Sequence, residues 1–549
     1  MNGYEVMAQA LKAEGVEFVV AFPAQRLIDV AAQAGIRPII CRQERAGVNM
    51  ADGFSRVSNG RKIGVFTMQQ GPGAENAFGG VAQAYADSVP ILVLPSGEPH
   101  ARRGIQPTFD AVPNYQGITK WGAVIHRPDD ITAMVRRAYT QLKHGRLGPV
   151  MLEMPTDVMG ADVPDEAAQH TPVRRFASAA SAEDVRDLVT ALLKAKEPMI
   201  CAGAGVFYAE AFDELIEFAE LTKIPVMTSH AGKSCFPETH PLSLGVGGIS
   251  RTLMVHNFLH ATDFVLGIGT SFTRNTFTAA MPGNVLLAQV TNCAEDINKD
   301  YDIAFGAIGD AKEVLRQMIE EVKRQTGGNG RGDVSGVADR IAEMREEWMG
   351  QWEPHFTTNE VPISPYRVLR ELQLAVDVDN TIITHDSGYP REQFLPFWRP
   401  TKPHGYLGWG KSTQLGYGLG LALGAKLAAP ERQVINVMGD AAFGMAGLDL
   451  ETASRAGIAI LTIVLNNGVM THYHDHMPFA TEKWKLNQLG GNYAAVAEGL
   501  GVFAQRVNAP GQLAGAIRKA IAMNQEGKPA LIEVMTKEEE TVSRFTQGY

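Results

Sequence analysis

The chain has 549 residues, 45% hydrophobic and 20% charged, with a formal net charge of −10. That length predicts three or four domains, each able to bury a core without disulfide staples, and the acidic balance argues against a nucleic-acid partner held by phosphate neutralisation. Its four cysteines, Cys41, Cys201, Cys235 and Cys293, form no CxxC pair, which argues against a disulfide framework and fits a reducing compartment.

The first 22 residues read as an amphipathic helix and a strand, without the layout of a signal peptide. No run approaches the roughly 18 apolar residues that span a bilayer, so a cytoplasmic location and no membrane partner are expected. Short apolar, β-branched runs follow at 61–68, 89–96, 148–155, 198–206, 224–230, 263–271 and 285–291. They resume at 380–388, 433–439, 459–466 and 529–536. Stretches with helical spacing lie between them, among them 184–194, 212–221 and 311–322. Buried strands alternating with helices predict parallel sheets covered on both faces. Two polar, small-residue stretches, 174–182 and 324–336, punctuate the chain as linkers. The expected fold is α/β in three domains, about 1–170, 183–323 and 355–549, each a central parallel sheet flanked by helices.

In the third block the run QVINVMGDAAFG ends a strand at Gly439-Asp440. The next strand ends in Asn466-Asn467-Gly468, Asn467 standing 27 residues after Asp440. One strand–helix–strand crossover of that length puts both ends on the carboxyl edge of a parallel sheet, where α/β proteins bind ligands. A carboxylate and an amide oxygen suit a magnesium ion that also holds diphosphate. The small residues Gly439, Ala441 and Ala442 let backbone amides approach phosphate oxygens.

This pattern resembles the thiamine-diphosphate signature, a GDG-like start followed by NN, with Ala441 where its second glycine would stand. The resemblance implies Asp440, Asn467 and the Val469 carbonyl as metal ligands, and thiamine diphosphate with Mg2+ as cofactors. The first block, from IICRQERAG to QQGPGAEN, is similar to the pyrimidine-binding domain of the acetolactate synthase, oxalyl-CoA decarboxylase and 2-hydroxyacyl-CoA lyase branch. There Glu44 matches the glutamate that shares a proton with the aminopyrimidine and so promotes the cofactor ylide. Gly71 and Asn76 match the GPG turn and its asparagine. In KSTQLGYGLG, Leu415 matches the apolar residue that bends the cofactor, with Thr413 and Gln414 along the pyrimidine. The middle block resembles the family's Rossmann-like central domain, and the third its diphosphate-binding domain. The glycines at 203–205 are weak evidence for an ADP or coenzyme A moiety there.

The same resemblance places Gln25, Gln69, Gln70 and Gln106 toward the reacting carbon, and makes His472 or Tyr473 candidate proton donors. The alternating histidines 472, 474 and 476 also raise a zinc reading, disfavoured because residues two apart diverge on a helix. The stretch GDAAFGMAGLDLET looks closest to oxalyl-CoA decarboxylases and 2-hydroxyacyl-CoA lyases, in whose relatives a tail closes over the site; Arg544 is placed to serve there. The expected activity is therefore carbon–carbon lyase or decarboxylase chemistry on a small acyl substrate, with a CoA thioester as one form. The alternatives are an acetolactate-synthase-like carboligase, with or without a flavin, and a non-catalytic cofactor-binding relative. The assembly implied is a homodimer or homotetramer with active sites between subunits.

Overall fold

In the computed structural model the described residues are 1–23, 25–332 and 336–545. Three six-stranded sheets, parallel throughout, organise the chain in succession. The first holds β1 (Phe18–Phe22), β2 (Arg37–Ile40), β3 (Gly64–Met68), β4 (Ile91–Gly97), β5 (Trp121–Val124) and β6 (Val150–Pro155). The second holds β7 (Pro198–Ala202), β8 (Val226–Ser229), β9 (Ser243–Gly247), β10 (Phe264–Ile268), β11 (Leu286–Thr291) and β12 (Phe305–Ile308). The third holds β13 (Thr381–His385), β14 (Tyr406–Leu407), β15 (Gln433–Gly439), β16 (Leu461–Asn466), β17 (Phe503–Val507) and β18 (Ala530–Met535).

The first and third sheets share one strand order: β2-β1-β3-β4-β6-β5 and β14-β13-β15-β16-β18-β17. Interior strands such as β3 and β16 are buried along their whole length, the consequence of helices covering both faces. The helix Val337–Thr357 lies in sequence between the second and third sheets. The expected 324–336 linker begins inside the helix Ala311–Thr326, and its residues 333–335 lie outside the described residues.

One hydrophobic core unites the first and third sheets: Phe66 and Val81 belong to the same cluster as Leu421, Met438 and Ala442. The seam is made by the helix Glu44–Val57 lying along the helix Tyr417–Ala428. Their backbones meet closely. A Cβ on Gly53 would overlap the Leu421 carbonyl, and one on Gly424 would overlap that of Met50. One packed core therefore holds elements of the first and third sheets together. All four cysteines are free, and among the described residues no helix is long and apolar enough to cross a membrane.

Candidate functional site

β15 and β16 run side by side, with Gly439 in register with Leu465. Asp440 and Asn466 therefore stand next to each other where the two strands end. Asp440 is buried and opens the helix Asp440–Ala446. One of its oxygens accepts from the Ala441 N–H (2.8 Å), the other from the Gly468 N–H (2.9 Å), which ties the two loops together. Asn466 donates to Glu533 (2.7 Å), fixing the end of β16 against β18. Asn467 donates to Thr471 (2.8 Å), and its amide oxygen accepts from the Val469 N–H (3.1 Å). Gly439 and Ala441 are half-buried and Ala442 is buried.

Burial raises the Asp440 carboxyl above its ordinary range, opposed by its backbone hydrogen bonds, and Glu533 nearby adds to the rise. Among the described residues no lysine or arginine forms an ion pair with Asp440. A buried carboxylate held by backbone amides, with hard amide and carbonyl oxygens beside it, fits a magnesium ion, whose charge would offset that burial.

Glu44 opens the helix Glu44–Val57 and is buried, 3% exposed. Burial, and then the charges of Asp449 and Glu44, push the Cys41 thiol well up. Tyr115, whose hydroxyl donates to the Ala74 carbonyl, is pushed up by burial and by Glu44. Gly71 has φ +61° and ψ −109° and caps the helix Pro72–Ala86. That left-handed backbone favours glycine, and a side chain there would meet nothing within 4 Å. Asn76 is exposed on this helix.

Gln25 is held at both ends of its amide. It donates to Ser96 (2.7 Å) and to the Met68 carbonyl (3.2 Å), and accepts from Thr67. Gln69 and Gln70 are half-buried between β3 and Gly71, whereas Gln106 is exposed on the loop before the helix Ala111–Tyr115.

Thr413, Gln414 and Leu415 are half-buried in the loop between β14 and the helix Tyr417–Ala428. Leu415 packs against the shared core. The Gln414 amide lies so close to Gly79 that a Cβ there would overlap it. His472 precedes a short helix, Tyr473–His476. It pairs with Asp475 (3.1 Å) and Glu540 (3.5 Å), and its ring centre lies 5.8 Å from that of Tyr389. Tyr473 is 45% exposed. The three alternating histidines do not converge: the group brought within ligand distance among the described residues is His474 with Glu538 and Glu540, all exposed.

The tail is fastened to three helices, Tyr389–Phe394, Pro365–Ala375 and Val337–Thr357. Gln393 donates to the Glu539 carbonyl (3.1 Å), Tyr366 to that of Thr541 (2.6 Å), and Trp348 to Ser543 (3.2 Å). Arg544 is exposed, and its charge reaches Tyr389. Burial and then Glu540 push that phenol up to about 12. Residues 546–549 lie outside the described residues.

Tyr389, beside His472, and Glu533, which holds Asn466, were not singled out in the sequence. Neither belongs to the GD or NN motif, and their roles come from strand ends and crossings that spacing alone does not reveal.

The second sheet carries a cavity of about 160 Å³, lined among others by Gly203, Gly205, Asp310, Arg175, His230 and Lys411. Gly203 and Gly205 are packed against Gly269 with no room for a Cβ, so close backbone packing by itself accounts for both. Burial brings the Lys411 amine down to about 8.

Three family models match this chain. The thiamine pyrophosphate enzyme N-terminal TPP binding domain matches residues 1–116, the central domain 185–318, and the C-terminal TPP binding domain 386–534. The chain belongs to the thiamine-diphosphate-dependent enzyme superfamily. Within it, the similarity runs to acetolactate synthase large subunits. The probable large subunit of Methanocaldococcus jannaschii is 29% identical, across 100% of this chain and 94% of that protein. That of Haemophilus influenzae is 28% identical across 99% and 96%. The isozyme 3 large subunit of Escherichia coli is 26% identical across 97% and 94%.

Proposed function

We propose that this thiamine-diphosphate-dependent enzyme is a magnesium-requiring carboligase acting on 2-oxo acids, of the kind its relatives' names describe. The observation that carries the cofactor site is the joining of Asp440 to Gly468 across the ends of two adjacent parallel strands. The carboligase reading is supported by relatives spanning the whole chain under the acetolactate synthase name. It displaces the acyl-CoA lyase or decarboxylase expected from one stretch after Asp440, since nothing in the comparisons supports a CoA thioester.

Thiamine diphosphate, when bound, supplies a nucleophilic carbon and an electron sink. Asp440, Asn467 and the Val469 carbonyl would hold the metal, and the backbone at Gly439, Ala441 and Ala442 would receive the diphosphate. Leu415 would supply the apolar contact that shapes the cofactor, while Thr413, Gln414, Gly71 and Asn76 would border its pyrimidine. Glu44 holds and returns a proton at its carboxyl oxygen from within its buried pocket. His472 and Tyr473 would serve as proton donors, with Gln70 and Gln106 toward the substrate. Gln25, already committed to Ser96, Thr67 and Met68, acts by bracing the carboxyl edge of the first sheet.

The active unit is a dimer, with Glu44 of one chain completing the metal site of another. The exposed apolar side chains Phe78, Tyr85, Met445 and Leu448, on elements flanking the cleft, support that assembly.

The test is product analysis with thiamine diphosphate and Mg2+ present. Pyruvate should give a branched 2-hydroxy-3-oxo acid with release of CO2. Turnover of oxalyl-CoA or a 2-hydroxyacyl-CoA, with none of pyruvate or 2-oxobutyrate, would restore the lyase reading.

A further inference from the structure

Asp386 follows β13 directly and is fully buried. Its carboxylate accepts three main-chain hydrogen bonds. One oxygen takes the N–H groups of Ser387 (2.8 Å) and Gly416 (2.9 Å), and the other takes that of Gly418 (2.9 Å).

These donors belong to the Leu415 loop and to the turn before Pro390, whose ring lies 3.9 Å from where a Cβ on Gly439 would stand. Ser387 leads into Gly388, which has φ +90° and caps the helix Tyr389–Phe394; a side chain on Gly388 would meet nothing within 4 Å. Gly416, at φ +83°, follows Leu415 and caps the helix Tyr417–Ala428. Helix-capping oxygens ordinarily come from the cap residue itself. Here the cap residue is a glycine, and the oxygen is brought from a strand 30 residues earlier. The helix start has no freedom to retreat. A Cβ on Gly418 would stand 2.5 Å from the His385 carbonyl and 2.7 Å from the Asn436 amide oxygen. The charge of Arg45, the residue after Glu44, favours the ionised form of Asp386, and Arg45 itself donates to the Met445 carbonyl (3.2 Å). One carboxylate thus binds the Ser387 turn to the Leu415 loop, with a cation from the Glu44 helix behind it.

We infer that Asp386 is a positioning residue that holds the Leu415 loop at a set distance from the Ser387–Gly388 turn, and so fixes the width and bend of the cofactor cleft. The inference rests on the cofactor reading above. Burial raises this carboxyl to about 6, against the three N–H groups and Arg45. That opposition is the mark of an anion retained for its geometry rather than for ease of burial.

The test compares wild type with Asp386→Asn, which keeps the shape but presents a single acceptor oxygen and an NH2 group toward donors. Thiamine diphosphate affinity is measured by calorimetry at saturating Mg2+, with circular dichroism of the bound cofactor and thermal unfolding of the apo protein. Gly327→Ala serves as the control. It strains a left-handed helix cap (φ +62°) in the central domain, and should lower the melting temperature without changing affinity. Asp386→Asn should weaken cofactor binding by about tenfold or more and alter the dichroic spectrum of whatever cofactor remains bound. Should that variant not fold, Asp386→Glu, which keeps the charge and displaces the oxygens, should weaken binding in the same way. A folded variant with wild-type affinity and spectrum, merely less stable like the control, overturns the inference and leaves Asp386 a helix cap. Absence of cofactor binding by wild type overturns the cofactor reading itself, and the inference with it.

Discussion

Glu44 and Asp440 divide the work at the scale of single residues. The first is buried at the start of its helix, and the second directly follows β15, at the loop proposed to hold the metal. Replacing Glu44 by Gln should leave cofactor and magnesium binding in place and lower turnover by about a hundredfold or more, because it removes proton transfer and little else. Calorimetry beside steady-state kinetics separates the two effects. Asp449 offers a second check. It accepts the Arg42 N–H (2.8 Å) and the Thr452 hydroxyl (2.9 Å) at the seam between the first and third sheets. Burial raises its carboxyl to about 6. The unfolded value is about 3.9, so the folded state binds this proton more tightly, and stability from this group falls as pH rises from about 4 through 6. Asp449→Asn removes that fall. Its melting temperature relative to wild type should therefore climb between about pH 4 and 7, and a pH-independent difference would contradict the assignment.

Among the elements, the helix Glu44–Val57 and the helix Tyr417–Ala428 depend on glycine at their contact. Gly424→Ala would drive a methyl group into the Met50 carbonyl, and overpacking of this kind costs about 1–3 kcal/mol. Urea unfolding should show a lower midpoint. An unchanged midpoint would mean the two helices part more easily than their packing implies. What the sequence disclosed follows the same physics. The strands it revealed, from β1 to β18, are the interior ones, buried on both faces and so written as unbroken apolar runs. The six it did not reveal, β2, β5, β9, β12, β14 and β17, are the two edges of each sheet. β5 is half-buried throughout, β14 has two residues, and β17 reads FAQRV with polar positions mixed in. The GD and NN motifs were legible because they are local. Asp386 was not, because its value lies in reaching Gly416 and Gly418 across the sheet edge, and neither spacing nor residue type signals that.

For the whole molecule, the proposed active site lies at a boundary between chains. Glu44→Ala and Asp440→Ala should each be inactive alone. After subunit exchange, about a quarter of wild-type activity should return, since half the dimers are mixed and each mixed dimer has one intact site. If each chain held a complete site of its own, no activity would return on mixing. Beneath all of this lies the claim that Asp440 and its neighbours hold a magnesium-bound diphosphate. The most direct measurement is calorimetric titration of thiamine diphosphate, with and without Mg2+, into wild type and Asp440→Ala. The account predicts magnesium-dependent binding by wild type that the variant loses while remaining folded. Equal binding by both, or none by a folded wild type, would contradict it.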